Sequence, residues 1–132
     1  MDCMEFVVKI KQYAVDETVK SMSSQLAAPQ LMLVESDESI KARNRRLERD
    51  SGWFAKLTPA DQATFHAILQ DCAERTLLQA FCFLDGIGGD SDGVFEVVEC
   101  VQGQPKNVLN PQNSDLLHDL LSDVCERSRH AE

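Results

Sequence analysis

No stretch of this 132-residue sequence approaches the roughly 18–20 apolar residues that a membrane-crossing helix requires. The start, Met1-Asp2-Cys3-Met4-Glu5, lacks the basic residues and apolar run of a secretory leader, which predicts a cytoplasmic location. A Cys-x-x-Cys pair is missing too. The five cysteines (Cys3, Cys72, Cys82, Cys100, Cys125) are odd in number and widely spaced, unlike a secreted disulfide framework. Most stand among apolar neighbours, where a free thiol behaves as a small hydrophobe, so a reducing compartment is expected. Positive charge is scarce in the second half. Residues 1–56 balance 9 Lys+Arg against 9 Asp+Glu, whereas residues 57–132 carry 4 against 13 and account for the whole net charge of −9. Such a surface repels phosphate backbones and anionic lipid, and attracts basic partners over a Debye length of about 8–10 Å. Direct nucleic-acid binding is therefore not expected, and the simplest alternative to a basic partner is that the acidity only keeps the chain soluble.

What is present reads as one globular domain spanning residues 1–132, with a core over about 2–126 and a frayed tail at 127–132. The 43% hydrophobic and 27% charged composition supports a folded chain. Asp2, with Glu5 three residues on, predicts a capped helix to about Gln25, its apolar stripe formed by Val8, Val15, Val19, Met22 and Leu26 and widened by Phe6, Ile10 and Tyr13-Ala14. Pro29 ends it, and Leu31-Met32-Leu33-Val34 reads as a short strand or a buried connection. Ser36-Asp37-Glu38-Ser39 opens a charged helical stretch with Lys41, Arg43, Arg45, Arg46 and Arg49. It is either a basic contact helix or a solvated helix laced with charge pairs, and the latter is favoured. Thr58, Pro59 and Asp61 predict the cap of a long helix running to Asp85, buried on nearly all sides from Leu77 to Leu84 and closed by Gly86. Residues 94–101 predict a strand, Gln102–Pro105 a turn and Lys106–Asn110 a returning strand. Asn113 or Ser114 is the expected cap of a last helix with a stripe of Leu116, Leu117, Leu120, Leu121, Val124 and Cys125. The fold class is α+β, with three to four helices packed with a small antiparallel β-hairpin.

Few residues suggest chemistry. Gly88 to Glu99 overlays a calcium loop, with Asp90, Asp92 and Glu99 at ligand positions. Yet Gly88 replaces the first acidic ligand, and the residues after Gly93 read as strand where the template requires a helix. A tight turn is the simpler reading. The glycines after Asp85 follow a helix and lie among acids, so they do not form a phosphate loop. For nucleophilic catalysis the chain offers Cys72 or Cys82 with His66 or His118. Both cysteines, however, lie in an apolar helix among acids, the wrong setting for a thiolate. His118, between Leu117 and Asp119, reads as a core-bordering residue that bonds a backbone group rather than a base. No spacing announces zinc. The expectation is therefore a non-enzymatic protein without a cofactor. Asp85, Asp90, Asp92, Glu96 and Glu99 fall within fifteen residues, around one turn and strand, and are the candidate partner-binding acids.

The order Trp53-Phe54, Leu57-Thr58, Leu84-Asp85-Gly86, Gly93-Val94-Phe95-Glu96, Val108-Leu109-Asn110 and Leu117-His118-Asp119-Leu120 resembles a group of small, uncharacterised bacterial cytosolic proteins. Their general look is similar to that of immunity proteins from bacterial toxin systems. The resemblance covers residues 53–121 and implies no catalytic residues. It implies a binding protein that neutralises a cognate toxin; the charge of the chain adds that the partner is basic and is docked by the acids from Asp85 to Glu99. The alternative is a small-molecule- or calcium-responsive domain using residues 88–99. A homodimer through the helical stripes is compatible with either.

Overall fold

The computed structural model describes residues 1–33, 37–87, 95–111 and 114–131. Among them the architecture is α+β, as the sequence predicts. Helices α1 (Cys3–Lys11), α2 (Glu17–Ala27), α3 (Glu38–Phe54), α4 (Pro59–Leu84) and α5 (Leu117–His130) accompany a single antiparallel hairpin, β1 (Val98–Val101) and β2 (Gln104–Val108). The chain divides into two compact units. The first comprises Met1–Val15 and Cys72–Glu132, the second Asp16–Asp71.

In the first unit, α1 starts with the expected capping box. The Glu5 N–H donates to Asp2 Oδ1 at 2.7 Å, and the Asp2 N–H donates to Glu5 Oε2 at 3.0 Å. A π-helical turn, Gln12–Asp16, follows without a break in the helix. This turn alters the expected stripe in part, keeping Val15 inside and turning Val8 out. In an unbroken α-helix Val15 would stand about 80° round from Val7. The wider turn winds more slowly and returns Val15 toward the face of Val7. Val7 and Val15 are therefore buried and Val8 is exposed; Met22, beyond the turn and also expected inside, is exposed as well.

Val7 and Val15 join Leu77, Phe81, Leu117, Leu120, Leu121 and Cys125 in one apolar cluster, with Phe6, Ile10 and Val97 packed against it. Each fully buried side chain of this kind contributes roughly 1.5–3 kcal/mol of transfer free energy. The end of α4 is buried on one face rather than on all sides, since Leu77 and Phe81 point inward while Phe83 faces solvent. Gly86 closes the helix as predicted, at φ +77°. The Ile87 N–H donates to the Cys82 carbonyl and the Gly86 N–H to the Phe83 carbonyl, a Schellman pattern that satisfies the last carbonyls.

The hairpin turn is tighter than expected. Gln102 and Gly103 both take positive φ, which permits a two-residue loop, and β2 begins at Gln104. Val98 pairs with Val108 and Glu99 with Asn107. Cys100 then pairs with Pro105, so Lys106 is an extra residue bulged out of β2. Beyond the strands the pairing continues by other means. The Leu109 N–H donates to the Val97 carbonyl at 2.7 Å. The Asn110 side-chain amide then accepts from the Val97 N–H at 2.7 Å and donates to the Phe95 carbonyl at 2.8 Å. Helix α5 runs to His130, past Arg127 where fraying is expected, and Arg129 Nη2 donates to the buried Glu74 carboxylate at 2.7 Å.

In the second unit, α2 packs on α3. Asp37 caps α3 by accepting from the Ser39 N–H and hydroxyl. Thr58 caps α4 by accepting from the Asp61 N–H, and its hydroxyl donates back to the Asp61 carboxylate. Buried Phe54 meets Phe65 edge-on at 5.8 Å between ring centroids, and His66 at 5.2 Å. His66 Nδ1 lies 3.0 Å from the Ser23 hydroxyl. Leu31, Met32 and Leu33 form neither strand nor buried connection, and Leu33 is 98% exposed. They are held instead by Asn44, whose side chain exchanges two hydrogen bonds with the Met32 backbone.

Candidate functional site

The acids that the sequence groups around one turn have different fates. Asp85, at the end of α4, has a side chain only 2% exposed. Its Oδ2 accepts from the His118 backbone N–H at 3.0 Å and pairs with His118 Nδ1 at 2.8 Å. A carboxylate can only accept, so Nδ1 carries the proton. The first N–H groups of a helix have no partner within it, and a negative group there is doubly favoured. Asp85 thus caps α5 from another element, where the expected cap was local. Asn113 lies outside the described residues. Ser114 turns its hydroxyl to the Pro111 carbonyl, and Leu116 at the N-cap offers no side-chain bond. Asp85 belongs to the fold, not to a surface that a partner can reach.

Glu96 is exposed just before β1, where a partner can meet it. Glu99 lies on β1, half-buried, and accepts from the Met1 ammonium at 3.3 Å and the Asn107 amide at 3.1 Å. Its partial burial works to raise its pKa. The bonds from the ammonium and Asn107, with the charges of Lys106 and the ammonium, outweigh that and hold the carboxyl below its ordinary value. Asp90 and Asp92 lie outside the described residues. The calcium-loop template is not continued at its far end, because residues 95–97 are not helical and Glu99 sits in a strand. Among the described residues no three His, Cys, Asp or Glu side chains are grouped to hold a metal ion.

Nor does the geometry assemble a nucleophile. His118 Nε2 lies 3.3 Å from Asp119 Oδ1, so both ring nitrogens face carboxylates. The nearby Cys3 thiol is pushed above its ordinary pKa by burial first, then by the negative charges of Asp85, Asp2 and Asp115. That is the opposite of activation. The other cysteines do not all act as core residues: Cys125 is buried, but Cys72 and Cys100 are exposed. On α3, Lys41 bonds Glu38 and Arg49 bonds Asp50, while Arg45 and Arg46 face solvent. A shallow polar hollow of about 270 Å³ beside α2, lined by Glu17, Lys20, Ser21, Ser24 and Gln25 among others, holds no convergent reactive groups.

One acidic feature was overlooked in the sequence. Asp119, Asp123 and Glu126 recur at helical spacing on α5, opposite buried Leu117, Leu120, Leu121 and Cys125. All three are exposed, as is Asp115 just before the helix, and the three helical carboxyls span about 10 Å of axis. The legible signal was the i, i+4, i+7 spacing of acids between the leucines. The imbalance belongs to the first unit, whose sequence holds 13 acidic against 6 basic residues, compared with 9 against 7 in the second. No helix among the described residues is long and apolar enough to cross a membrane.

The residues that carry the resemblance hold one another: Asp85 binds His118, Asn110 binds the Phe95 backbone, and Trp53 and Phe54 both pack on Phe65. They describe how the chain folds. No protein-family model, curated protein or solved structure matches this chain.

Proposed function

We propose that this is a non-enzymatic protein-binding domain whose partner is basic, engaged through the acidic surface of the first unit. The observation that carries the reading is the exposed carboxylate line Asp119, Asp123 and Glu126 on α5, backed by a buried leucine face that fixes it in place. Glu96 is a further exposed carboxylate of the same unit, and Asp85 serves the α5 line indirectly by anchoring the start of the helix. Rigidly held charges of one sign accelerate encounter with an oppositely charged protein and select against acidic ones. The reading's most concrete form is an immunity-like inhibitor of a basic toxin, the function that the resemblance implies.

The test is capture of partners by the tagged protein from cell extract at low and high salt, beside a variant carrying Asp119→Lys, Asp123→Lys and Glu126→Lys. The expected result is a basic protein retained near equal stoichiometry, weakened by salt and lost from the variant. Equal retention by the variant would remove the α5 surface from the function.

A further inference from the structure

The hairpin has two edges, and they are not alike. On β2, Pro105 cannot donate to a neighbouring strand, Lys106 is bulged out, and Gln104 to Val108 are all exposed. Proline, lysine and a bulge are the devices that keep a sheet edge from pairing. β1 carries none of them. The Leu109 N–H donates to the Val97 carbonyl, and backbone groups alternate along an antiparallel pair. Val97, Glu99 and Val101 therefore direct their N–H and C=O toward β2, while Val98 and Cys100 direct theirs away from it. No described residue pairs with that outer side. Val98 and Cys100 also expose their side chains, with Val108 opposite Val98 on the same face. A two-stranded hairpin is marginal alone, and a third strand is the usual completion.

We infer that the outer edge of β1 takes up an extended segment of the basic partner as a third strand, which rests on the function proposed above. Main-chain bonds at Val98 and Cys100 give the register, and the exposed valines receive apolar side chains on one face. Charge selects the occupant. The first unit holds 13 acids against 6 bases, and Glu96 stands just before the strand, so a second copy is repelled while a segment of alternating basic and apolar residues is drawn in.

Val98→Pro is the decisive variant. Its N–H points away from β2, so proline there removes an edge donor without cutting the ladder to β2, and Val97 before it already bonds across to Leu109 and Asn110 as a strand residue does. Val98→Thr keeps the N–H and serves as control. The probe is an acetylated, amidated eight-residue peptide of alternating lysine and valine, titrated at low salt, beside the same peptide with alternate amides N-methylated. Binding of the plain peptide is expected to weaken about tenfold in Val98→Pro and on N-methylation, and to change little in Val98→Thr. Hydrogen exchange at the Val98 and Cys100 amides should slow on binding. Salt-sensitive binding that neither Val98→Pro nor N-methylation alters would overturn the edge and leave the acidic-surface reading standing. No binding at low salt would overturn both. A dimer dissolved by Val98→Pro would make a second copy the occupant and overturn the basic segment.

Discussion

Replacing Asp85 tests the account most directly, because the sequence offers it as a contact residue and the structure makes it an internal cap. Asp85→Ala removes the acceptor for two bonds at once, to the His118 N–H at 3.0 Å and to Nδ1 at 2.8 Å. Loss of an N-cap acceptor costs about 1 kcal/mol. Loss of a hydrogen bond to a charged group costs roughly 1.5–3 kcal/mol when its partner stays enclosed. The two share one carboxylate and are not fully additive, so about 3 kcal/mol is expected, near 10 °C in Tm for a chain of this size. Asp85→Asn keeps an oxygen acceptor for one bond and should lose about half as much. Urea denaturation followed by circular dichroism measures the totals, and hydrogen exchange of the first α5 amides locates them. A loss below about 1 kcal/mol in Asp85→Ala, or an equal loss in both variants, would refute the capping role.

Asn110→Ala should cost about 2–3 kcal/mol, since it strips bonds of 2.7 and 2.8 Å from the Val97 N–H and the Phe95 carbonyl, with faster exchange at Val97 as the local readout. Asn110→Asp keeps the acceptor but sets a carboxylate against the Phe95 carbonyl, and should be no better than alanine. Asp37 has its carboxyl pKa lowered from 3.8, mainly by the Ser39 hydroxyl and then by the Ser39 N–H. A lowered folded value means that its contribution to the α3 cap is complete above the ordinary value and fades as pH falls through the folded one. Carbon NMR titration should therefore place its midpoint below 3.8, and Ser39→Ala should move it back toward that value. An unmoved midpoint would show that the hydroxyl is not the cause.

Local chemistry was legible in the sequence where the cause is local. The Asp2 and Glu5 capping box, the Thr58 cap, the Gly86 terminator and the hairpin all follow from residues within a few positions of one another. What was not legible depended on distant partners or on small changes of winding. Asp85 and His118 are 33 positions apart, and nothing in either neighbourhood announces that one caps the helix of the other. The π turn at Gln12–Asp16 has no glycine or proline to mark it, so a single helical wheel placed Val8 inside. For the candidate acids, clustering along the sequence is a poor guide, because Asp85 turns inward eleven positions before Glu96 turns outward. The α5 acids are spread at helical spacing between leucines, so they form a line only once the helix is wound.

The amide of Asn110 has a consequence for how the hairpin finds its alignment. Backbone ladders are nearly indifferent to which residues face each other, so a strand can slide by two positions and recover most of its bonds. A side-chain hook cannot slide. Asn110 fits only where the Val97 N–H and the Phe95 carbonyl are both in reach, and any displaced pairing leaves its buried amide empty-handed. One residue thus makes a short, exposed pair of strands choose a single alignment, and holds the outward groups of Val98 and Cys100 in a constant frame for whatever strand comes to join them.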